Sequence, residues 1–443
     1  MKKKEILFFL VAVLMHSFLP LLAHDSHKGL HHWEIPSMDP DRIILPFHGA
    51  PPTNRAVTWR TDKSITKAVA QIAEAKVNSK FTDDAVSVEA ATEAFDLGQY
   101  KGNSALVVHY HGAKFKNLKP NTQYVYRVGD GSKHWSEWIQ FRTAKSSYAP
   151  TQFVYFGDAQ NDVLDHWSRV IRMAYQTAPN ASFAIHAGDL INKAHRDHEW
   201  AQWFKAGGFI HSQWTAIPAV GNHEFMPVGR ILKGKKKVSI QWRPQFTLPV
   251  EKDLVPELHE TVYTVDYQDI RVIVLNSNDH LEQQTKYLEQ KLKNCTAKWK
   301  IVTCHHSVFS PADGRNFQFA RDHWKPLLDK YNVDLVLNGH DHTYARGHVP
   351  VRTRDEKSAS ELGTVYVTSV SGPKQYALDP KQIKAYKSDG YQSDKTAEQT
   401  QFFQVITIEG NTLSYVAYTV MGDEYDRATI QKDFETGRKF LED

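Results

Sequence analysis

The chain contains only two cysteines among its 443 residues, Cys295 and Cys304. Two thiols cannot form the disulfide framework of a small secreted domain, and a chain of this length does not need one. Cys304 ends an apolar run and is interpreted as a small hydrophobic core residue, so a Cys295–Cys304 bridge is the less favoured alternative. Neither cysteine is predicted to be a nucleophile.

Long apolar runs are also absent after the first residues. No later stretch approaches the roughly 20 apolar residues that a membrane-spanning helix needs. Residues 1–23 combine three lysines at 2–4 with the apolar stretch Ile6–Met15 and end in Leu21-Leu22-Ala23, which is typical of a cleaved secretory signal. The sequence therefore predicts a secreted or periplasmic protein without stable membrane insertion. A retained N-terminal anchor is the alternative.

The chain also lacks a large excess of either positive or negative charge. The whole chain has a formal net charge of +4, and loss of three lysines and Glu5 with the signal leaves 51 basic and 49 acidic residues. A dedicated nucleic-acid-binding protein normally carries a strongly basic face, so the balance argues against this class. No internal repeat or low-complexity tract is present, and the oligomeric state stays open.

The chain is long enough for two domains. About 420 residues remain after the signal, which is more than one hydrophobic core usually supports. Residues 40–145 contain alternating β patterns, and Lys145–Pro150 reads as a linker of small and turn-forming residues. Residues 150–435 alternate strand patterns with helix-period spacing, which predicts βαβ units.

The C-terminal part is predicted to complete the second domain. The runs Gly363–Ser369, Gln401–Ile408 and Thr412–Val420 are strand-like and are expected to close a second sheet. Asp379–Glu398 is polar and is predicted to be an exposed loop.

Five short apolar runs predict buried strands, and each run stops at a cluster of Asp, Asn or His. The runs are Gln152–Phe156 before Gly157-Asp158, Ser182–Ala187 before Gly188-Asp189, Ala216–Val220 before Gly221-Asn222-His223-Glu224, Lys300–Cys304 before His305-His306, and Val333–Leu337 before Asn338-Gly339-His340-Asp341-His342. Glycines open three of these turns and let the backbone reverse without a Cβ clash. Parallel strands of an open sheet bring their carboxyl ends to one edge, so the clusters are predicted to meet in one cleft.

The candidate donors that this cleft would gather are eight side chains: Asp158, Asp189, Asn222, His223, His305, His306, His340 and His342. A single Gly-Asp turn or strand-end histidine is usually an ordinary turn or a hydrogen-bonded residue, so only the joint occurrence argues for a site. Oxygen and imidazole donors without thiolates suit Zn, Mn or Fe, and eight such groups are too many for one ion. The pattern predicts a centre of two metal ions.

These motifs resemble those of the calcineurin-like metallophosphoesterase superfamily and, within it, the purple acid phosphatase branch. The motifs span Asp158 to His342, and the resemblance covers the chain from about Pro40 onward. It implies an N-terminal β-sandwich of the fibronectin type III kind, in which a tyrosine anchors a corner turn, here within Leu118–Val128. It also implies a four-layer αββα catalytic domain of two facing sheets with helices outside.

The resemblance assigns a role to each motif residue. Asp158 and His342 would bind the first metal, Asp189 would bridge both ions, and Asn222, His305 and His340 would bind the second. The two ions together would bind a phosphate oxygen and activate a water as hydroxide for in-line attack on phosphorus.

Three further residues are candidates for contacting the substrate. His223 resembles the substrate-contacting histidine of the family, and an imidazolium can protonate the leaving group. His306 follows His305 directly; adjacent strand side chains point oppositely, so a cleft position and a structural one stay equally open. Arg315 is a candidate phosphate contact, because the loop Phe309–Phe319 has no counterpart of the family's paired histidines; an exposed loop charge is the alternative.

The sequence departs from the family pattern at two positions. The purple enzymes have tyrosine where this chain has Asn192, and many other metallophosphoesterases have histidine where it has Gln160. Either residue would give the first metal a neutral oxygen, or water takes that place. Without an anionic phenolate the preference for Fe(III) weakens, so Fe, Zn and Mn all fit, and the iron-loaded protein is predicted to be colourless.

The sequence therefore predicts an exported metal-dependent phosphoesterase that acts on a small phosphorylated substrate. Phosphomonoesters are the favoured substrates. A phosphodiesterase or nucleotide hydrolase with the same site is the alternative, because the motifs define attack on phosphorus rather than its substituents. A non-catalytic surface-binding protein is the least favoured interpretation.

Overall fold

The computed structural model describes residues 29–99, 102–227, 236–351 and 361–442, so the predicted signal at 1–23 lies outside the described residues. The first eight strands are β1 Asp41–Pro46, β2 Arg55–Asp62, β3 Val69–Glu74, β4 Val86–Glu89, β5 Ala91–Asp96, β6 Val107–Phe115, β7 Gln123–Gly129 and β8 Ile139–Arg142. The others are β9 Thr151–Phe156, β10 Phe183–His186, β11 Thr215–Pro218, β12 Phe225–Pro227, β13 Lys236–Val238, β14 Tyr263–Tyr267, β15 Ile270–Val274, β16 Trp299–Thr303, β17 Leu335–Asn338, β18 Tyr344–Val351, β19 Glu361–Thr368, β20 Gln392–Ala397, β21 Phe402–Glu409, β22 Thr412–Thr419, β23 Glu424–Lys432 and β24 Lys439–Glu442.

Helices occur almost entirely in the second part of the chain. The α-helices are α1 Trp167–Thr177, α2 Asp197–Gly207, α3 Phe209–Gln213, α4 Trp242–Gln245, α5 Leu281–Lys293, α6 Lys325–Lys330 and α7 Pro380–Ala385. A π-helical turn, Ala320–Trp324, leads into α6. Among the described residues, no helix is both long and apolar enough to cross a membrane.

The N-terminal part is a β-sandwich. The sheet β4-β3-β7-β8 faces a second layer that contains β1, β2, β6 and β5. Trp59, Phe115 and Tyr126 meet between the layers and are almost fully buried. The corner tyrosine is present, because the N–H of Lys119 donates to the hydroxyl of Tyr124 at 2.8 Å.

The sandwich shares a sheet with the second part of the chain. β1 pairs antiparallel with β2 and parallel with β11, with Leu45 opposite Thr215. The result is an eleven-stranded sheet in the order β24-β23-β22-β21-β9-β10-β11-β1-β2-β6-β5. A separate seven-stranded sheet has the order β14-β15-β16-β17-β19-β18-β20.

The two large sheets pack face to face with helices outside. Phe183 of the larger sheet packs against Tyr267 of the other, with ring centroids 5.2 Å apart. Trp167 of α1 belongs to the core of the larger sheet, while Leu288 of α5 and Leu328 of α6 cover the outer face of the smaller one. This architecture confirms the predicted fold class: a β-sandwich followed by a four-layer αββα domain.

The five motif strands are β9, β10, β11, β16 and β17, within two residues of their predicted bounds. The sequence suggested that these five strands share one sheet, but in the structure they belong to two. β9, β10 and β11 are parallel in the larger sheet, and β16 and β17 are parallel in the smaller one. The cleft therefore forms where the carboxyl edges of two facing sheets meet.

Two predictions for the C-terminal part were wrong. Only β19 joins the second sheet, because β21 pairs with β9 and carries β22 into the larger sheet. The segment predicted as an exposed loop contains α7 and β20. β20 is an edge strand paired only with β18, so its polar side chains do not show the alternation that predicts a strand.

Both cysteines are free, and Cys304 is buried.

Candidate metal centre

The carboxyl ends of the motif strands converge on one polar centre. Ligand atoms of Asp189, His305 and His340 lie within 4.8 Å of one another. Ligand atoms of Asp158, Asp189 and His342 form a second group with the same spacing. Asp189 belongs to both groups, which is the position that a bridging carboxylate would need.

The two carboxylates lie at the turns after β9 and β10 and are almost completely buried. Asp189 Oδ2 lies 3.1 Å from Nε2 of His305, and Asp158 Oδ2 lies 3.2 Å from Nε2 of His342. The N–H of His340 donates to Asp158 Oδ1 at 2.6 Å and fixes the orientation of this carboxylate. Each aspartate thus keeps one oxygen beside an imidazole of the opposite sheet.

Glycines open the turns at which the backbone approaches the carboxylates. A Cβ on Gly221 would lie 2.1 Å from Oδ1 of Asp189, and one on Gly339 would lie 2.2 Å from Oδ1 of Asp158. Gly188 has a φ of +89°, which disfavours any residue with a side chain. Larger residues at Gly221 and Gly339 would push the carboxylates out of the centre, and one at Gly188 would collide with the ring of His305.

Backbone carbonyls set the orientation of two imidazoles. Nδ1 of His305 lies 2.9 Å from the carbonyl of Ala187, and Nδ1 of His342 lies 3.1 Å from the carbonyl of Lys374. Because a carbonyl only accepts, Nδ1 carries the proton in each ring. Nε2 of each ring is left facing the carboxylates, as in many metal-binding histidines.

Three polar atoms lie close to Nε2 of His305. Asp189 Oδ2 and Asn222 Oδ1 each lie 3.1 Å from this nitrogen, and Nδ1 of His340 lies at the same distance. Two oxygen acceptors so close to a nitrogen lone pair need a shared cation, either a proton on the ring or a metal ion. The donor set of carboxylate, amide oxygen and imidazole fits Zn, Mn or Fe.

Arg315 comes from a largely exposed loop, but its half-buried side chain reaches the centre. It donates from Nη1 to Nε2 of His340 at 2.6 Å and from Nη2 to the hydroxyl of Tyr376 at 3.0 Å. The ring of Tyr376 packs edge-on against that of His342, with centroids 4.8 Å apart. Because a guanidinium only donates, Nε2 of His340 must accept this hydrogen bond, and the ring proton therefore lies on Nδ1. Binding of a metal ion through Nδ1 would require the other tautomer, with the proton on Nε2.

His223 lies beside Asp189, with its ring partly exposed. Its N–H donates to Asp189 Oδ1 at 2.8 Å, and its Nδ1 donates to the carbonyl of Asn192 at 2.6 Å. Nε2 of His223 is therefore the free ring nitrogen, 3.9 Å from Asp189 Oδ2.

His306 forms part of the wall of the same centre. Its ring centroid lies 4.2 Å from that of His340, and its Nδ1 lies 2.8 Å from the hydroxyl of Ser277. The strand β16 ends at Thr303, so the alternation that would have turned His306 away from His305 no longer applies.

Gln160 and Asn192, the two residues that depart from the family pattern, make different contacts in the structure. Gln160 Nε2 donates to Asp189 Oδ2 at 2.8 Å, while its Oε1 is buried without a hydrogen-bond partner among the described residues. Asn192 acts through its backbone, since its carbonyl receives the hydrogen bond from His223. Gln160 is thus the better placed of the two to give an oxygen to the first metal group.

Comparison with known proteins agrees with this geometry. Residues 40–143 match the family model of the purple acid phosphatase N-terminal domain, and residues 151–344 match that of the calcineurin-like phosphoesterases. The chain belongs to the purple acid phosphatase-like metallophosphoesterases.

Individual relatives of this metallophosphoesterase are distant. An uncharacterized protein of Mycobacterium tuberculosis is 29% identical over 322 residues, which cover 61% of this chain and 59% of that protein. Purple acid phosphatase 7 of Arabidopsis thaliana is 27% identical over 249 residues, or 50% of this chain and 66% of that one. The chain therefore spans about three fifths to two thirds of the length of these relatives.

A solved structure shares the fold. A purple acid phosphatase from yellow lupin (Lupinus luteus) seeds superposes with a TM-score of 0.74 at 20% identity, over 90% of this chain and 76% of its own. This likeness confirms the predicted fold, and the two family models confirm the predicted family.

Burial and charge shift the pKa values of the metallophosphoesterase centre. Burial raises the pKa of Asp158 to about 7 against the opposing effect of His305. Burial alone would lower the pKa of His305, but the carboxylates of Asp189 and Asp158 raise it to about 10. Burial lowers the pKa of His342 and of His306 to about 3. The carboxylates of the centre therefore favour a positive charge beside them, while the imidazoles of His342 and His306 stay neutral. A neutral imidazole is the form that binds metal ions.

Several residues at the centre carry no signal that sequence patterns could reveal. Tyr376 lies in a loop after β19 and reaches the site only because its N–H donates to the carbonyl of His342 at 3.0 Å. Glu224 lies within the motif after β11, but the pattern does not reveal that it accepts the N–H groups of Asp189, Leu190 and Gly221.

One large cleft of the protein lies away from the candidate metal centre. A cleft of about 660 Å³ lies between the sandwich and the segment 236–260, with Tyr110, Arg243 and Glu260 among its lining residues. None of the predicted ligands lines it. The convergence of ligand atoms identifies the centre.

Proposed function

We propose that this protein hydrolyses phosphomonoesters with two metal ions. Asp158, Asp189 and His342 would hold the first ion, and Asp189, Asn222, His305 and His340 would hold the second. The observation that carries the proposal is the position of Asp189, which belongs to both groups of converging ligand atoms. When bound, two such ions supply Lewis-acid stabilisation of the charge on phosphate and activate the attacking water.

Side chains beside the metal groups are placed to bind the phosphate. The position of Arg315 supports phosphate binding, because its Nη1 lies 2.6 Å from Nε2 of His340, beside the second metal group. Planar guanidinium groups bind phosphate oxygens through two parallel N–H donors. The ring of His306, packed against that of His340, closes the same wall.

His223 is proposed to protonate the leaving group. Its Nδ1–H is committed to the carbonyl of Asn192, so Nε2 is the atom that can face the departing oxygen. We expect His223→Ala to retain its metals and to slow hydrolysis of an alkyl phosphate by about 10²–10⁴. An aryl phosphate should lose far less, because a phenolate leaves without protonation. Equal losses on both substrates would remove His223 from this role.

Export is proposed from residues 1–23 alone. A fusion of residues 1–30 to a reporter that is active only outside the cytoplasm would test it, with Lys2, Lys3 and Lys4 replaced by Glu as the control.

The experiment that tests the function combines metal analysis with activity. Metal-free protein is loaded with Mn, Zn or Fe, its metal content is measured, and hydrolysis of p-nitrophenyl phosphate and bis(p-nitrophenyl) phosphate is followed. We expect two ions per chain and preference for the monoester. Asp189→Ala should lose both ions and all activity, because the remaining ligands cannot screen the repulsion between two cations.

Asp266→Ala is the matched control. This aspartate pairs with Arg271 at the surface, far from the motif turns, so its removal should leave metals and turnover unchanged. Two ions and near-normal turnover in Asp189→Ala would contradict the proposal. Faster hydrolysis of the diester would shift it to a phosphodiesterase with the same site.

A further inference from the structure

The carboxylate of Glu199, on the first turn of α2, holds the loop that follows the Asp189 motif. Its Oε2 accepts the N–H groups of Asn192 at 2.7 Å and of Lys193 at 2.8 Å. Its other oxygen lies 3.5 Å from Nη1 of Arg196, and the side chain is only 14% exposed. One carboxylate oxygen thus fixes two consecutive peptide groups.

The same loop holds His223 at two points. The carbonyl of Asn192 accepts the hydrogen bond from Nδ1 of His223 at 2.6 Å. Two residues later, the N–H of Ala194 donates to the backbone carbonyl of His223 at 3.1 Å. Both the ring and the backbone of His223 therefore take their position from residues 192–194.

We propose that Glu199 is a positioning residue that aims Nε2 of His223 at the leaving group. The inference rests on the proposed function, in which His223 protonates that group. Without the carboxylate, the partly buried N–H of Asn192 and the exposed N–H of Lys193 lose their acceptor, and the peptide that presents the carbonyl of Asn192 is free to turn. A displacement of about 1 Å at a reacting group can cost about 10²-fold in rate.

The sandwich domain anchors the helix that carries Glu199. Asp197, two residues earlier, pairs with Arg42 at 2.8 Å and with Arg60 at 3.4 Å, and all three side chains are buried. The N–H of Asp197 donates to Oδ1 of Asn103 at 3.0 Å. The first turn of α2 is thus fastened to the N-terminal domain on one side and to the loop of His223 on the other.

The test compares substrates that differ in how much help the leaving group needs. We expect Glu199→Ala to lower kcat for β-glycerophosphate by about 10–100-fold, with KM changed by less than about 3-fold. Loss on p-nitrophenyl phosphate should stay below about 3-fold, because its phenolate leaves unaided. Glu199→Gln should retain most of the activity, because its amide oxygen can still accept both N–H groups.

A double variant separates positioning from general stability. If Glu199 acts through His223, Glu199→Ala should add no loss to His223→Ala on β-glycerophosphate. In metal-free protein, the amides of Asn192 and Lys193 should exchange with deuterium faster in Glu199→Ala than in Glu199→Gln. Glu289→Ala, which removes an exposed partner of Lys330, is the matched control and should change none of these quantities.

The outcomes distinguish the two proposals. Additive losses in the double variant, equal losses on both substrates, or unchanged exchange of the two amides would overturn the positioning role alone. Absence of hydrolysis by the unaltered, metal-loaded protein would overturn the proposed function itself.

Discussion

Glu224 and Asp189 are two buried carboxylates joined through the backbone, since the N–H of Asp189 donates to Oε2 of Glu224 at 2.9 Å. Glu224 also accepts from Leu190 at 2.8 Å and from Gly221 at 2.6 Å. It therefore ties the turn after β10 to the turn after β11. Burial raises the pKa of Glu224 to about 8, with a further contribution from the charge of Asp189.

Glu224→Ala should destabilise the protein and empty the metal centre. Three buried N–H groups would lose their acceptor, at about 1–3 kcal/mol for each group that stays unsatisfied. We expect a lower melting temperature and reduced metal content, measured by thermal unfolding and metal analysis. Glu224→Gln keeps one acceptor oxygen, so its melting temperature and metal content should lie between those of the unaltered protein and those of Glu224→Ala. An unchanged melting temperature in Glu224→Ala would show that other groups join these turns.

Arg315→Ala should weaken substrate binding more than metal binding. The guanidinium lies between Nε2 of His340 and the hydroxyl of Tyr376, so its loss removes a charged fork from the phosphate wall. We expect KM for p-nitrophenyl phosphate to rise by about 10–100-fold, in line with the loss of charge-assisted hydrogen bonds. Metal affinity should hold or increase, because Nε2 of His340 is freed to carry the ring proton.

Two variants sharpen the Arg315 experiment. Arg315→Lys keeps the charge but lacks the two parallel N–H donors of the guanidinium, so it should recover only part of the affinity for the substrate. Tyr376→Phe removes one acceptor of the guanidinium and should have a smaller effect. A loss of metal with unchanged KM in Arg315→Ala would mean that Arg315 supports the ligands rather than the substrate.

His111 should make the sandwich sensitive to acid. Its ring is buried between the hydroxyls of Thr61 at 2.8 Å and Thr92 at 2.9 Å. Burial, with a smaller effect of His109, lowers the pKa of His111 to about 4. Above pH 6.5 the ring is neutral in both folded and unfolded chains. As pH falls from 6.5 to 4 only the unfolded chain takes up the proton, so stability falls by up to about 3 kcal/mol.

His111→Gln should remove this part of the acid sensitivity. The amide keeps hydrogen bonds to both threonines but does not titrate. The fall in melting temperature between pH 6.5 and 4.5 should be smaller than in the unaltered protein. His323→Gln, at an exposed position, is the control and should keep the full dependence. An equal fall in both variants would show that His111 is not a source of it.

The sequence reveals those parts of the site in which one strand ends on one polar cluster. Asp158 and Asp189 each follow an apolar run after one glycine, and His305 follows its run directly, so local pattern suffices to find them. Which of two sheets a strand joins depends on tertiary pairing, as the antiparallel attachment of β21 to β9 shows. Tyr376 reaches the centre from a separate segment, and Glu199 acts on the loop of His223 through backbone hydrogen bonds. No periodicity or spacing in their own segments marks them.

The iron-loaded protein should be colourless. In the purple relatives that the motifs resemble, colour arises from charge transfer between tyrosinate and ferric iron, and that tyrosine is replaced by Asn192. Tyr344, the nearest tyrosine in sequence to the motif ligands, is buried and bonds to Tyr415 and Asp426 instead. Without a phenolate to favour a trivalent ion, both positions should accept divalent metals.

The visible spectrum of the iron-reconstituted protein is the measurement. Asn192→Tyr should gain a visible band if position 192 faces the first metal. Tyr376→Phe is the essential companion, because Tyr376 contacts the ring of His342 and is a tyrosine that sequence spacing does not reveal. A band in the unaltered protein that disappears in Tyr376→Phe would make Tyr376 a ligand and overturn the prediction. A band that persists would mean that the second motif is aligned wrongly with the family.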